Sequence, residues 1–168
     1  MFTFLFRKKK NSVTDVFRNY LPQMVYGAVD GTVTTFAVVA GATGWDLSSK
    51  IIIILGLANL FADGASMSIS AYLSAKSEKM GKKTPLSIAL WTLVAFIIVG
   101  FIPLIPYVFD VGSFRLSCIM TGIAFFGIGA LKGYVAKHGW LFSAVQTLTL
   151  GTVAALIAYY VGVWLAGI

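Results

Sequence analysis

IIIILGLANLFADGASMSISAYLSAKSE, residues 51–78, is long and apolar enough to cross a bilayer as a helix, yet it contains an Asp, an Asn, a Met and several Ser. A helix that rises ~1.5 Å per residue crosses a hydrocarbon core of ~30 Å in about 20 residues. In a helix, residues that recur every three or four positions share one face. The residues spaced in this way are Asn59, Asp63, Met67, Ser70, Ser74 and Glu78. This face, here called the polar stripe, predicts a path for something polar along a helix embedded in lipid.

The composition of the whole chain is that of an integral membrane protein. Of its 168 residues, 58% are hydrophobic and 11% are charged, and the mean hydropathy is +0.88, so a soluble domain of this size could not hide its apolar surface from water. The apolar residues form blocks of about twenty, whereas the strands of a membrane barrel would give short alternating segments. The sequence therefore predicts an all-α integral membrane protein with five transmembrane helices per protomer. These spans are predicted near residues 23–44, 51–76, 86–107, 115–135 and 141–166.

The positions of the cations indicate the topology. The formal net charge is +7, and all but two of the 13 Lys and Arg residues flank the apolar blocks on one side of the membrane, the exceptions being Lys50 and Arg115. The positive-inside rule then places the N-terminus in the cytosol and the C-terminus outside. Because topology accounts for these charges, no nucleic-acid partner is predicted. Residues 1–22 are predicted to form a basic cytosolic segment, and residues 23–168 the transmembrane domain. The apolar spacing of residues 11–22 suits an amphipathic helix at the cytosolic interface, and a short solvated linker is the alternative.

Asp30 lies deep in the first span. It lies ~12 Å of helical rise beyond Pro22. At that depth its short side chain cannot reach the interface. An ionised Asp near the bilayer centre costs ~2.5–3.5 kcal/mol even on a lenient scale, so Asp30 is expected to face protein or a water-filled cavity. Gly27 and Gly31 surround it with small residues that let another helix approach closely. A hydrogen bond from Asp30 to a neighbouring helix is the simpler alternative.

Asp63 is the most deeply placed ionisable residue, about midway between Lys50 and Lys76. No Lys, Arg or His occupies the middle of another span, so protonation or a bound cation must neutralise the carboxylates. One turn away on either side, Met67 adds a thioether and Asn59 adds a carbonyl oxygen. A carboxylate with a thioether suits a divalent transition metal better than Na⁺, Ca²⁺ or Mg²⁺, which prefer oxygen ligands. Ordinary packing is the alternative for Met67 taken alone.

Glu78 closes the polar stripe at the cytosolic end, where it would be the first ligand for an arriving cation. A solvated ion pair with the neighbouring lysines explains it equally well. The candidate metal ligands are Asp30, Asp63, Met67, Asn59 and Glu78. One chain supplies too few of them for a complete coordination shell, which predicts a homodimer.

Several motifs together resemble the vacuolar iron transporter family. They are Tyr-Gly-x-x-Asp-Gly at 26–31, the run from Ala62 to Glu78, Gly-Ala-Leu-Lys-Gly at 129–133, Trp140, Gly151, and Tyr-x-Gly at 160–162. The similarity covers most of residues 22–165 and implies a five-helix homodimer whose first two helices line a central path. Such a protein exports Fe²⁺ or a related divalent metal such as Mn²⁺ from the cytosol in exchange for protons, with the metal as substrate and no resident cofactor. The family's pathway Asp and Met correspond to Asp30 and Met67.

Two departures from the family pattern stand out. Family members often carry a Glu where this chain has Asn59, and the acid here is Asp63, one turn further along. The eukaryotic members also insert a cytosolic metal-binding domain between helices two and three, where this chain has only residues 79–84. The chain is thus predicted to be a short member of the family in a prokaryotic plasma membrane.

Two other function classes are weighed against transport. A small membrane scaffold, whose buried polar residues only join helices, is the alternative to a transporter. An enzyme is not expected, because the single Cys118 and the single His138 offer no pairing of nucleophile and base.

Overall fold

The computed structural model describes residues 13–77, 83–137 and 139–166. Within these residues the elements are α1 (Val13–Gly44), α2 (Ser49–Ser77), α3 (Pro85–Gly100), a 3-10 turn (Ile102–Leu104), α4 (Ile105–Val108), α5 (Phe114–Val135) and α6 (Trp140–Ala166). Five stretches are long and apolar enough to cross a membrane, with α3, the 3-10 turn and α4 together forming the third. The predicted all-α fold with five spans is confirmed. The orientation of the termini stays a prediction.

The third span is built from three pieces because of its prolines. Thr84 caps the start of α3 by accepting a hydrogen bond from the backbone N–H of Ser87 at 3.3 Å. The helix ends at Gly100, and Pro103 and Pro106 then lie in the first turns of the 3-10 turn and of α4. Proline has no N–H to donate to the helical ladder, so each one interrupts the helix before it and begins the next.

Helix α1 is the centre of the fold and passes through Pro22 without interruption. The division at residue 22 into a cytosolic segment and a transmembrane domain stays a prediction. It packs against α2, α3, α5 and α6, while α2 also packs on the third span and α6 also packs on α5. Helices α2 and α6 therefore lie on opposite flanks of α1. This arrangement leaves two faces of α1 open, one between α2 and α6 and one between α3 and α5.

Glycines set how closely the helices approach. A Cβ atom added at Gly27 or at Gly31 would overlap the backbone of α3, and at Gly27 the overlapped group is the carbonyl of Thr92. Gly129 of α5 meets the backbone carbonyl of Ser143 on α6 in the same way. Small residues allow such contacts because helix association in lipid depends on close van der Waals packing. The close approach expected next to Asp30 is therefore made by α3.

Candidate functional site

Asp30 and Asp63 face each other across the hairpin of α1 and α2. The connection is four residues long, and Asp46 turns the chain there with a φ of 53°, a left-handed conformation that Asp tolerates. Asp30 precedes the end of α1 by as many residues as Asp63 follows the start of α2, so the two lie at the same depth. Both side chains are partly buried.

Neither carboxylate has a polar partner among the described residues. The hydrogen bond at Asp30 involves its backbone carbonyl, which accepts from Oγ1 of Thr34 at 3.0 Å. No hydrogen bond or ion pair is found for the carboxylate of Asp30 or of Asp63 within the part of the chain that the structure describes. Two like charges without partners in a low-dielectric setting favour binding of a cation or of protons.

The polar stripe of α2 lies between the buried and the exposed face of that helix. Asn59, Asp63 and Met67 are partly buried, whereas Ser70, one turn further on, is exposed. The Nδ2 atom of Asn59 is buried and has no hydrogen-bond partner. Glu78, the last residue of the predicted stripe, lies outside the described residues.

Two openings lie along α1 near Asp30. The first, here called the Asp30 cleft, has a volume of about 500 Å³ and is lined by one face of α1, which includes Asp30, and by Ala154 of α6. The second is a pocket of about 250 Å³ between α1, α2 and α3 at the end of the hairpin remote from its turn. Pro22 and Tyr26 line both openings, so the two are neighbours on α1.

The opposite end of the hairpin is closed. Val39 of α1 and Ile52 of α2 pack with Leu104 and Tyr107 of the third span in one apolar cluster, each at most 4% exposed. The hydroxyl groups of Thr43 and Tyr107 are hydrogen-bonded at 3.0 Å, which ties α1 to α4 at this end. The seam between α1 and α2 is thus packed towards the turn and open beyond Asp30 and Asp63.

Gln23 is a polar residue of this region that the sequence reasoning missed. It lines the pocket between α1, α2 and α3, and its Oε1 atom is buried without a hydrogen-bond partner. An available signal was its position seven residues before Asp30, which places both residues on one face of α1 two turns apart.

One protomer does not offer a complete metal site. Within residues 13–77, 83–137 and 139–166, no group of three or more His, Cys, Asp or Glu side chains is arranged to hold a metal ion. Asp30, Asp63 and Met67 supply two carboxylates and one thioether, fewer than the four to six ligands that divalent transition metals commonly take. Water or a second copy of the chain would have to supply the rest.

Comparison with known proteins points to a single family. The model of the VIT family matches residues 21–84 and 78–163. A vacuolar iron transporter of Toxoplasma gondii is 44% identical over 70 residues, which is 42% of this chain and 23% of that protein. One from Plasmodium falciparum is 36% identical over 62 residues, 37% of this chain and 23% of the relative. These matches span less than a quarter of the two parasite proteins.

A vacuolar iron transporter of the plant Centaurea cyanus is matched over more of its length. It is 24% identical over 205 aligned positions, which include 81% of this chain and 84% of the relative. The alignment is longer than the 168-residue chain, so the plant protein has residues without a counterpart here. The two family matches meet at residues 78–84, the connection between α2 and α3. Together these matches extend over nearly the whole transmembrane region, and the chain belongs to the VIT family.

Proposed function

We propose that this chain carries Fe²⁺ or Mn²⁺ out of the cytosol in exchange for protons, along a path between α1 and α2 of a homodimer. The observation that carries the proposal is the position of Asp30 and Asp63, two carboxylates at one depth inside membrane spans for which the described residues provide no cation and no hydrogen-bond donor. Family membership supports metal transport, and the relatives are named vacuolar iron transporters.

The ligand chemistry favours a divalent transition metal. The carboxylates of Asp30 and Asp63 balance the charge of one divalent cation. Met67 follows Asp63 by one helical turn and adds a soft thioether, which Fe²⁺ accepts more readily than Mg²⁺ or Ca²⁺ do. Asn59, one turn to the other side, can offer the carbonyl oxygen of its amide to the ion or to a bound water molecule. Its Nδ2 atom, which is buried without a hydrogen-bond partner among the described residues, is a donor and not a metal ligand.

Exchange with protons follows from the charge of the pair. When the metal leaves, the carboxylates of Asp30 and Asp63 remain at one depth inside the membrane spans, and their charges have no partner among the described residues. Two protons replace one divalent cation without changing the net charge of the site. Asp30 and Asp63 would therefore release metal as they take up protons, and this is the step that couples the two flows.

A second copy of the chain would complete the site. The Asp30 cleft is open on one side, and Ser70 of the polar stripe is exposed, as is Ser66 beside the stripe. Exposed polar side chains at the depth of the hydrocarbon core are unfavourable in lipid. Covering this face with the same face of a twofold-related copy would bury the stripe and provide four carboxylates.

The scaffold alternative has less support. It requires the buried polar side chains to join helices, yet no described hydrogen bond links the carboxylate of Asp30 or Asp63 to another helix. We also propose a prokaryotic plasma membrane as the location, because residues 79–84 leave little room for a cytosolic domain between α2 and α3. The vacuolar names of the plant and parasite relatives do not favour that location.

Flux measurements in liposomes test the transport proposal. Purified chain would be reconstituted in vesicles that contain a metal-sensitive dye, with the interior more acidic than the medium, and Fe²⁺, Mn²⁺, Mg²⁺ and Ca²⁺ would be added outside in turn. We expect uptake of Fe²⁺ and Mn²⁺ that the pH gradient accelerates. We expect at least a ~10-fold loss in Asp63→Asn, since one charge interaction close to contact is worth several kcal/mol even at an effective dielectric constant near 20.

Asp46→Asn is the matched control. Asp46 lies in the turn between α1 and α2 with a left-handed backbone that Asn also adopts, so this variant changes the same chemical group outside the site. It should transport like the wild type. Absence of uptake for both metals, or equal rates in Asp63→Asn and wild type, would contradict the proposal.

A further inference from the structure

A second opening on α1 has no polar residues and no role in the proposed transport path. It is a groove of about 440 Å³ between α1, α3 and α5, here called the apolar groove. Leu21 of α1, Trp91 of α3 and Leu131 of α5 line one end, and Ile102 lines the other. From Trp91 to Ile102 the rise along the third span is ~16 Å, about half the thickness of the hydrocarbon core. The groove therefore has the length and the chemistry of a lipid acyl chain.

The Trp91 end of this groove is connected to a cation by stacked rings. The rings of Tyr20 and Trp91 are stacked with centroids 6.1 Å apart. On the Tyr20 ring lies Nζ of Lys83, 5.8 Å from its centroid. Tyr and Trp favour the membrane interface, where one side of the ring is apolar and the other is wet. Tyr20 and Trp91 thus connect Nζ of Lys83 to the lining of the apolar groove.

Two further cations lie on the faces that line the same end. Arg18 precedes Leu21 by three residues and so continues the groove-lining face of α1 by one turn. Lys132 follows Ile128, a lining residue, by four positions and continues the face of α5 in the same way. Helix α1, helix α5 and the residue before the cap of α3 thus each bring one cation to the same end of the apolar groove.

We propose that the apolar groove binds one acyl chain of an anionic phospholipid, whose phosphate is held by Arg18, Lys83 and Lys132. The lining excludes a polar ligand, and the open side of the groove between α3 and α5 lies on the outer surface of the bundle. Each Lys or Arg near a membrane surface favours an anionic headgroup. The lipid would fill the space that α3 and α5 leave and would hold both helices against α1. This binding does not depend on transport.

Retention of lipid on the purified chain tests the acyl-chain part. The protein would be reconstituted in equimolar phosphatidylcholine and phosphatidylglycerol, extracted in mild detergent, and its bound lipids counted by native mass spectrometry. Wild type should retain one phosphatidylglycerol. Gly127→Leu should retain none, because Gly127 lines the groove and a Cβ there meets no atom within 4 Å, so the new side chain enters the groove without a clash.

Gly122→Leu is the matched control. It makes the same change on the same helix, its Cβ lies 4.0 Å from the nearest atom, and it lines a different cavity, so phosphatidylglycerol should be retained as in wild type. If Gly127→Leu does not fold, as judged by helical circular dichroism and elution volume, Val94→Phe decides. Val94 lines the groove from α3, and the larger ring should displace the lipid.

Headgroup choice is tested by charge. In the triple variant Arg18→Gln, Lys83→Gln, Lys132→Gln, the preference for phosphatidylglycerol should fall about fivefold per cation, or ~1 kcal/mol each. Lys50→Gln, beyond the other end of the spans, should change nothing. The proposal is overturned if wild type retains no lipid, if it retains the two lipids equally, if both groove-filling variants keep the lipid, or if the triple variant keeps the full preference.

Discussion

The Asp30 cleft and the apolar groove are two openings on the same helix with opposite chemistry. Val25 of α1 lines both, so they are separated by about the width of one side chain. The Asp30 cleft lies on the flank of α1 next to α6 and contains a carboxylate without a partner, whereas the groove between α3 and α5 is apolar and has its cations only at one end. Under the two proposals made above, the charge at its centre decides whether a gap between membrane helices carries metal or binds lipid.

Removing that central charge should have the largest effect. We expect Asp30→Asn to abolish Fe²⁺ uptake in the liposome assay, because the neutral amide cannot balance the cation or accept a proton. The double variant Asp30→Asn, Asp63→Asn should be no worse than Asp30→Asn alone, since residues that act as one site are not additive. Fe²⁺ uptake by Asp30→Asn above the protein-free background would contradict the proposal, because transport would then not depend on the carboxylate in the Asp30 cleft.

Glycines distinguish filled from open sides of the helices. Gly31→Ala should destabilise the protein by ~1–3 kcal/mol, because its Cβ would overlap the carbonyl of Phe96 and push α3 away from α1. Gly127→Ala projects a methyl group into the open groove and should be neutral or stabilising, since Ala favours a helix by up to ~1 kcal/mol over Gly. Thermal unfolding in detergent measures both. Equal melting temperatures of the Gly31→Ala and Gly127→Ala variants would show that the two glycines do not differ in packing.

Gln23→Leu should change stability and transport in opposite directions. The Oε1 atom of Gln23 is buried and unpaired, so an apolar replacement should raise stability by ~1 kcal/mol while slowing Fe²⁺ uptake through the pocket between α1, α2 and α3. Gln146→Leu is the control, because Gln146 is exposed on α6 and should not change either property. A lower stability of Gln23→Leu would mean that the side chain of Gln23 already has its hydrogen-bond partners in the wild type.

The smallest effect is expected at the mouth of the apolar groove. Tyr20→Leu removes the stacking with Trp91 and the contact with Lys83 and should lower stability by at most ~1 kcal/mol while leaving Fe²⁺ uptake unchanged. Tyr134→Leu, at a tyrosine that is 77% exposed, gives the baseline for losing an interfacial ring. A loss of transport in Tyr20→Leu would couple the groove to the Asp30 cleft and contradict their independence.

Much of the candidate site could be predicted from the sequence. The short turn between α1 and α2 already puts Asp30 and Asp63 at one depth, and the spacing of Asn59, Asp63 and Met67 already puts them on one face. Their role as metal ligands stays a prediction. The division at residue 22 between a cytosolic segment and the transmembrane domain also stays a prediction, and α1 runs through Pro22.

The amino-acid sequence alone determined the number, length and type of the membrane spans. In lipid every backbone polar group must be satisfied within its own segment, so apolar blocks of sufficient length become helices, and the prolines at 103 and 106 break the third. Only the tertiary structure decided which helices meet. Gly27 and Gly31 predicted a close neighbour, but packing chose α3, and it also left the apolar groove and the buried Oε1 of Gln23. The physical reason is that lipid is as apolar as a helix surface, so hydropathy cannot distinguish a face that packs on protein from one that faces lipid.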